Sequence, residues 1–202
     1  MARRNDHTKE ELKALILEKA WAIVSEQGFD HLTARTLAKE IGYTPGTIYN
    51  LFDSMEALYL QLNLKTVALL FKALDQYSAK SKDTEVSIDN MLKMAEAYFR
   101  FADKYRPHWL MLFNLNITSD NQNSQTYRQA VNHLFLPLES LLRSYFPDKE
   151  KKEIQKAARI LWSSVHGLCY LKHSGKIDMI DNDDKTDIMS EYLINTFIRG
   201  MS

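Results

Sequence analysis

The chain reads as all-α, with an N-terminal three-helix, helix-turn-helix domain over residues 1–53 and a larger helical bundle over 54–202. Three observations predict this. Proline (4) and glycine (6) are scarce in 202 residues, so long stretches carry no helix breaker. Apolar residues make up 45% of the chain, enough for a sizeable core, and recur at helical spacing. Residues 42–53, Gly-Tyr-Thr-Pro-Gly-Thr-Ile-Tyr-Asn-Leu-Phe-Asp, carry the signals of a tight turn leading into a short, outward-facing helix.

The elements follow in order from local signals. A first helix is expected from Thr8 to Gln27, with Leu12, Ile16, Ala20, Ile23 and Val24 on one face and Gly28 ending it. Two short helices come next. Ser54, with Glu56 and Ala57, opens a long helix to about Ser78, and polar residues 79–84 read as a connection. A helix over 86–104 carries Met91, Met94, Ala95, Tyr98 and Phe99. Pro107 starts a short aromatic helix through Phe113, and residues 114–125, rich in Asn, Ser and Gln, read as a loop. A helix over 126–146 contains Pro137, which is expected to kink or break it. Pro147-Asp148 opens a helix to about His173. The acidic stretch 178–184 is a loop, and a last helix covers 185–200.

The two short helices have a specific physical logic. Thr33 is placed to cap the first through its hydroxyl. Leu37, Ala38 and Ile41 form its apolar stripe, and the small Ala38 permits a close crossing. Gly42 stands where the chain must adopt a left-handed conformation. Thr44 precedes Pro45, which suits the first position of the second helix because its missing N–H costs nothing there. Ile48 and Phe52 point inward, leaving Thr44, Gly46, Thr47, Tyr49 and Asn50 outward. A helix N-terminus offers unpaired N–H groups to phosphate. Thr and Tyr hydroxyls donate to phosphate as well, and Asn pairs with adenine in the major groove. The plain alternative for the same spacing is a polar surface helix in an ordinary bundle.

Residues 12–58 resemble the N-terminal domain of the TetR family of bacterial regulators. The matching residues include Gly28, Thr33, Leu37, Ala38, Gly42, Tyr43, Thr44, Gly46, Thr47, Ile48, Tyr49, Phe52, Ser54, Glu56 and Leu58. The resemblance implies that Thr33, Thr47 and Tyr49 hold phosphates and that Arg35 reaches a base edge. It places Tyr43, Thr44 and Asn50 in or beside the major groove. Two positions depart from the pattern: Leu51 stands for a frequent His, and Met55 for a phosphate-binding Lys.

Composition limits the partners. Formal net charge is zero, and residues 1–54 hold seven Lys/Arg against eight Asp/Glu. This argues against strong non-specific DNA binding, which rests on phosphate neutralisation. Arg3 and Arg4 remain as a candidate basic arm. A single cysteine, Cys169, cannot form an internal disulfide, and a reducing cytoplasm is the expected setting. The first residues lack the apolar core of a signal peptide, and no run is expected to reach the length needed to cross a membrane.

The C-terminal part is rich in bulky side chains. Each one reads first as ordinary core. Together they make a pocket for a small, largely apolar molecule the expected partner of the DNA reader, with Tyr98, Tyr105, Trp109, Phe113, Trp162 and His166 as candidate lining. Trp162-Ser-Ser-Val-His166-Gly167 is similar to the Trp-His-Gly stretch of one TetR subgroup. A homodimer is expected through about 154–173 and 185–200, with Ala157, Ala158, Leu161, Val165, Leu168 and Leu171 on the first helix and Ile188, Tyr192, Leu193, Phe197 and Ile198 on the last as its surface. Gly167 within the first of these helices fits a close helix crossing.

No metal, cofactor or catalytic constellation is expected. His166 and His173 are seven apart on one helix, roughly 10 Å at 1.5 Å per residue, too far to share a metal. Asp178, Asp181, Asp183 and Asp184 lack the Gly and terminal Glu of a calcium loop. Ser163, Ser164 and His166 lie too close along one helix to make a nucleophile–base pair. The expected function is a dimeric repressor that leaves a palindromic operator on binding its ligand; a helical scaffold protein and, more remotely, an enzyme are the other classes.

Overall fold

A computed structural model describes residues 7–78, 88–115, 122–179 and 186–201. All regular structure among them is helical: α1 (Lys9–Gln27), α2 (Ala34–Ile41), α3 (Pro45–Phe52), α4 (Met55–Asp75), α5 (Ile88–Lys104), α6 (Arg106–Asn114), α7 (Gln122–His133), α8 (Leu136–Tyr145), α9 (Lys151–His173) and α10 (Thr186–Met201). The candidate Arg3-Arg4 arm, the 79–84 connection and Asp181, Asp183 and Asp184 lie outside the described residues.

Packing divides the chain into two compact units. The first comprises Met1–Ala68 and Tyr105–Ala130; the second comprises Leu69–Lys104 and Val131–Ser202. The division expected from sequence, at 53/54, follows role; the division by packing assigns the start of α4 and all of α6 to the N-terminal unit.

In the first unit, Thr8 closes a reciprocal capping box on α1. Its hydroxyl accepts from Glu11 N at 3.2 Å, and its own N–H donates to Glu11 Oε2 at 2.7 Å. Gly28, at φ 88°, ends the helix. The core joins Ile16, Val24, Leu37, Ile48, Phe52 and Leu58 to Met111 from α6. Burying side chains of this size stabilises by about 1.5–3 kcal/mol each. Tyr59 on α4 donates to Leu32 O at 2.9 Å, and partial burial raises its pKa.

In the second unit, α9 packs on α8 and α10, and α5 on all three. Its buried residues include Met91, Tyr98, Leu142, Leu161, Val165 and Ile194. Cys169 is buried too, which pushes its thiol up to about 12 and leaves it inert.

Four expectations shift. The Pro137 break is complete: α7 ends at His133 and α8 begins at Leu136 with the proline in its first turn. α7 starts at Gln122, inside the stretch expected to be loop, because Ser124 and Tyr127 are buried there and tertiary contacts outweigh low propensity. α9 starts at Lys151, with Pro147-Asp148 in the preceding turn. α4, 21 residues with a mean hydropathy of 1.2 over its most apolar window, is long and apolar enough to cross a membrane by length and composition. Half of that window is buried within the protein, where Leu58, Leu60, Leu62, Val67 and Leu70 serve as core.

Candidate nucleic-acid interface

Two turns fix the geometry of α2 and α3. Thr33 caps α2, accepting from Thr36 N at 3.1 Å and sharing a 2.9 Å hydrogen bond with the Thr36 hydroxyl. Gly42 takes the left-handed conformation, φ 72° and ψ 30°. Its N–H and that of Tyr43 return to the carbonyls of Lys39 (3.3 Å) and Ala38 (2.9 Å), a Schellman closure. α3 then departs at an angle set by backbone bonds, and Ile48 and Phe52 lock it onto the core.

The eight candidate residues all lie on this α2–turn–α3 segment. Thr33, Arg35, Thr44, Gly46, Tyr49 and Asn50 are exposed; Tyr43 and Thr47 are half-buried. Tyr49 is 48% exposed, high for a large aromatic side chain with no packing task. The Tyr43 hydroxyl lies 3.5 Å from His7 Nδ1. Thr44 holds the N-cap position, as expected, but its hydroxyl makes no bond to the α3 backbone. It meets the Thr47 hydroxyl at 3.3 Å instead, so the first turn of α3 lacks a side-chain cap. A Cβ at Gly46 would meet only Thr44 Oγ1 at 3.8 Å, an ordinary contact, so the chain's own packing does not require glycine there. Leu51 and Met55, the two departures from the family pattern, are both half-buried against the core of this unit. Packing there accounts for apolar residues at both positions.

Behind α1, the first unit holds a polar arrangement that sequence reading missed. His108 on α6 is buried and stacks on Trp21 at 3.6 Å and 15°, with Lys65 Nζ 4.0 Å over the Trp21 ring. The Ser25 hydroxyl donates to Trp21 O at 3.0 Å. Its hydrogen is thereby used, and Oγ accepts from His108 Nε2–H at 2.8 Å. Burial, then the Lys65 charge, lowers the His108 pKa to about 4, so the ring is neutral at pH 7. Only the aromatic character of Trp21 and His108 signalled this stack in sequence; their separation hid it.

The six candidate ligand residues divide between the units. Tyr105, Trp109 and Phe113 belong to the first, where Tyr105 packs edge-on to Trp21 and Trp109 on Phe113. Tyr98, Trp162 and His166 come together in the second. Tyr98 Oη and His166 Nδ1 share a 2.8 Å hydrogen bond, and the imidazole stacks on Trp162 at 5.1 Å and 14°. Tyr98 and Trp162 line a cavity of about 50 Å³ with Met91, Met94, Phe135 and Leu138. The spacing of Met91, Met94 and Tyr98 along α5 signalled this face in sequence.

The expected dimer residues also sort by exposure. Ala157, Ala158, Leu161, Val165 and, on α10, Ile198 are buried within the chain, so they do not form a free surface. The outward stripe of α9 is Ile160, Ser163, Gly167 and Tyr170, with Ile160 48% and Tyr170 47% exposed. Ser163 and Ser164 donate back to the carbonyls of Arg159 and Ile160, which hides their polarity. A Cβ at Gly167 would meet nothing within 4 Å. On α10, Ile188 and Tyr192 are exposed.

Comparison with known proteins gives these observations a context. Residues 16–62 match the model for bacterial regulatory proteins of the tetR family, and residues 91–197 match that for a tetracyclin repressor-like C-terminal domain. A protein of Mycobacterium tuberculosis named as the uncharacterized HTH-type transcriptional regulator Rv0681 is 28% identical over 169 residues, 83% of this chain and 73% of its own. Solved structures share the fold, and two illustrate it. One is a protein of unknown function from Rhodococcus sp. RHA1 (TM-score 0.72, 19% identity, 98% of both chains). The other is the TetR family transcriptional regulator PfmR from Thermus thermophilus (TM-score 0.62, 16% identity, 93% of this chain and 98% of that one).

Proposed function

The chain belongs to the TetR family of bacterial regulatory proteins, and from that premise we propose that it is a homodimeric, sequence-specific repressor. It leaves a palindromic operator when a small, largely apolar molecule occupies the second unit. Residues 1–53 act as the reader, and 54–202 as the sensor and dimer domain. Within the family, the Trp162–Gly167 stretch supports placement in the Trp-His-Gly subgroup.

The observation that carries the reading is the outward set on α2 and α3. Thr33, Thr47 and Tyr49 hold phosphates; Arg35 reads a base edge, and Asn50, Tyr43 and Thr44 lie in or beside the groove. Gly46, without a packing task of its own, leaves room for the duplex. Because residues 1–54 carry no net positive charge, affinity leans on two heads engaging half-sites one or more helical turns apart. The outward stripe of α9 with Ile188 and Tyr192 of α10 supports the second copy. Ligand binding that changes the match of the heads to their half-sites by about 3 kcal/mol weakens binding roughly 100-fold.

Paired substitutions test the roles. Tyr49→Phe should weaken all sites alike, by about tenfold or less per head for one lost hydrogen bond. Arg35→Ala should in addition relax preference at particular bases. An unchanged preference in Arg35→Ala would remove its base-reading role.

A further inference from the structure

The turn between α2 and α3 has a neighbour from outside the motif. Tyr43 follows Gly42 in that turn, with its N–H fixed to Ala38 O at 2.9 Å, and its hydroxyl lies 3.5 Å from His7 Nδ1. His7 immediately precedes Thr8, whose capping box with Glu11 anchors the start of α1. The imidazole therefore stands beside the reading segment between two fixed pieces of backbone, and it is exposed. Because it precedes α1, a search confined to α2 and α3 passes over it.

Its surroundings suit a proton that is gained and lost. A phenol hydroxyl donates to a bare imidazole nitrogen and accepts from a protonated one, so Tyr43 accommodates both states of His7. Among the described residues, Glu11 on α1 is the other titratable group that acts on it. The Thr8 backbone bond, then the Thr8 hydroxyl and, last, the His7 charge hold the Glu11 carboxyl below the usual carboxylate range. Glu11 thus stays an anion and favours the imidazolium. Imidazoles change charge between about pH 5 and 8. One cation more or less matters in this head, because residues 1–54 hold seven Lys/Arg against eight Asp/Glu and phosphate neutralisation drives affinity. A cation at the edge of the groove meets phosphate oxygens.

Resting on the operator reading above, we propose that His7 is a further DNA contact: as imidazolium it pairs with a backbone phosphate at the groove edge beside Tyr43, and operator affinity rises as the solution becomes more acid. Proton and DNA then favour each other by the same factor. The test measures Kd for full-length protein and a synthetic duplex carrying the palindrome that it selects from random DNA, over a range of salt at about pH 6 and pH 8. The native protein should bind at least about tenfold tighter at the lower pH, the worth of a charge-assisted hydrogen bond. Its logarithmic salt dependence should steepen there by about one for each head. His7→Gln should lose both effects and bind at the lower pH as the native protein does at the higher. His7→Arg, a permanent cation, should bind tightly and with the steep salt dependence at both. His31→Gln, which removes the other histidine of residues 1–54, should behave as the native protein does. An undiminished pH response in His7→Gln, or its loss in His31→Gln, would overturn the role of His7 and leave the operator reading intact. If the native protein selects no palindrome, the operator reading fails and the His7 contact fails with it.

Discussion

The first unit buries Asn63, Thr66, His108 and Ser124, whereas Ser190 is the buried polar side chain of the second among the described residues. The first unit therefore adds directional bonds to its apolar core. Ser25 links Trp21 O to His108, Tyr59 donates to Leu32 O, and Thr66 donates to Leu62 O. The second unit has such bonds too, between Tyr98 and His166 and between Arg159 and Glu139, but it packs around a cavity whose walls include two methionines. Directional bonds have one satisfactory geometry, while methionine-rich packing tolerates several. The proposed reading head needs the first property and the proposed sensor the second.

The largest expected effect tests whether α6 is part of the reader's framework. Met111 on α6 is fully buried in the first unit's core, and Met111→Ala should cost about 2–5 kcal/mol in denaturant unfolding. A loss under about 1 kcal/mol would break the assignment of α6 to that core. Next comes acid. His108 has a folded pKa of about 4 against 6.5 unfolded, so the unfolded chain binds its proton first as pH falls. Its contribution is complete above pH 6.5 and is lost on descent towards pH 4, at most roughly 3 kcal/mol. Unfolding of His108→Gln across that window should lose this part of the slope. An unchanged slope would mean the ring is not buried neutral.

The smallest effects compare two helical glycines, one on each unit's proposed partner face. Neither has a packing reason to be glycine. Gly46→Ala and Gly167→Ala should each raise stability, by up to about 1 kcal/mol in a helix interior and less for Gly46 near the start of α3. The first should weaken operator binding and leave the dimer intact. The second should weaken dimerisation, read by sedimentation. If both gain stability with no loss of either function, the two faces are misassigned.

Much of the fold was legible because its boundaries are local. Thr8, Gly28, Thr33, Gly42, Pro45 and Pro137 each act on their own turn of backbone, and each appears where its chemistry places it. The outward positions on α3 were legible for a related reason, since Ile48 and Phe52 leave little choice of face. Partnerships between distant segments were not. Trp109 and Phe113 look like Trp162 in sequence, yet α6 packs in the first unit and α9 in the second. On α9, Ala157, Leu161 and Val165 and the stripe through Ile160 and Gly167 are two helical faces, and only the position of α8 and α10 decides which one is free.

Everything proposed for this chain turns on α2 and α3 reading a two-fold DNA site. Its most direct test is selection of bound duplexes from random DNA by purified full-length protein at moderate salt, run beside a Thr47→Ala, Tyr49→Phe double variant. The expected result is an enriched palindrome with half-sites one or more helical turns apart for the native protein, and weak or no enrichment for the variant. No palindrome from the native protein, or the same enrichment from both, would contradict it.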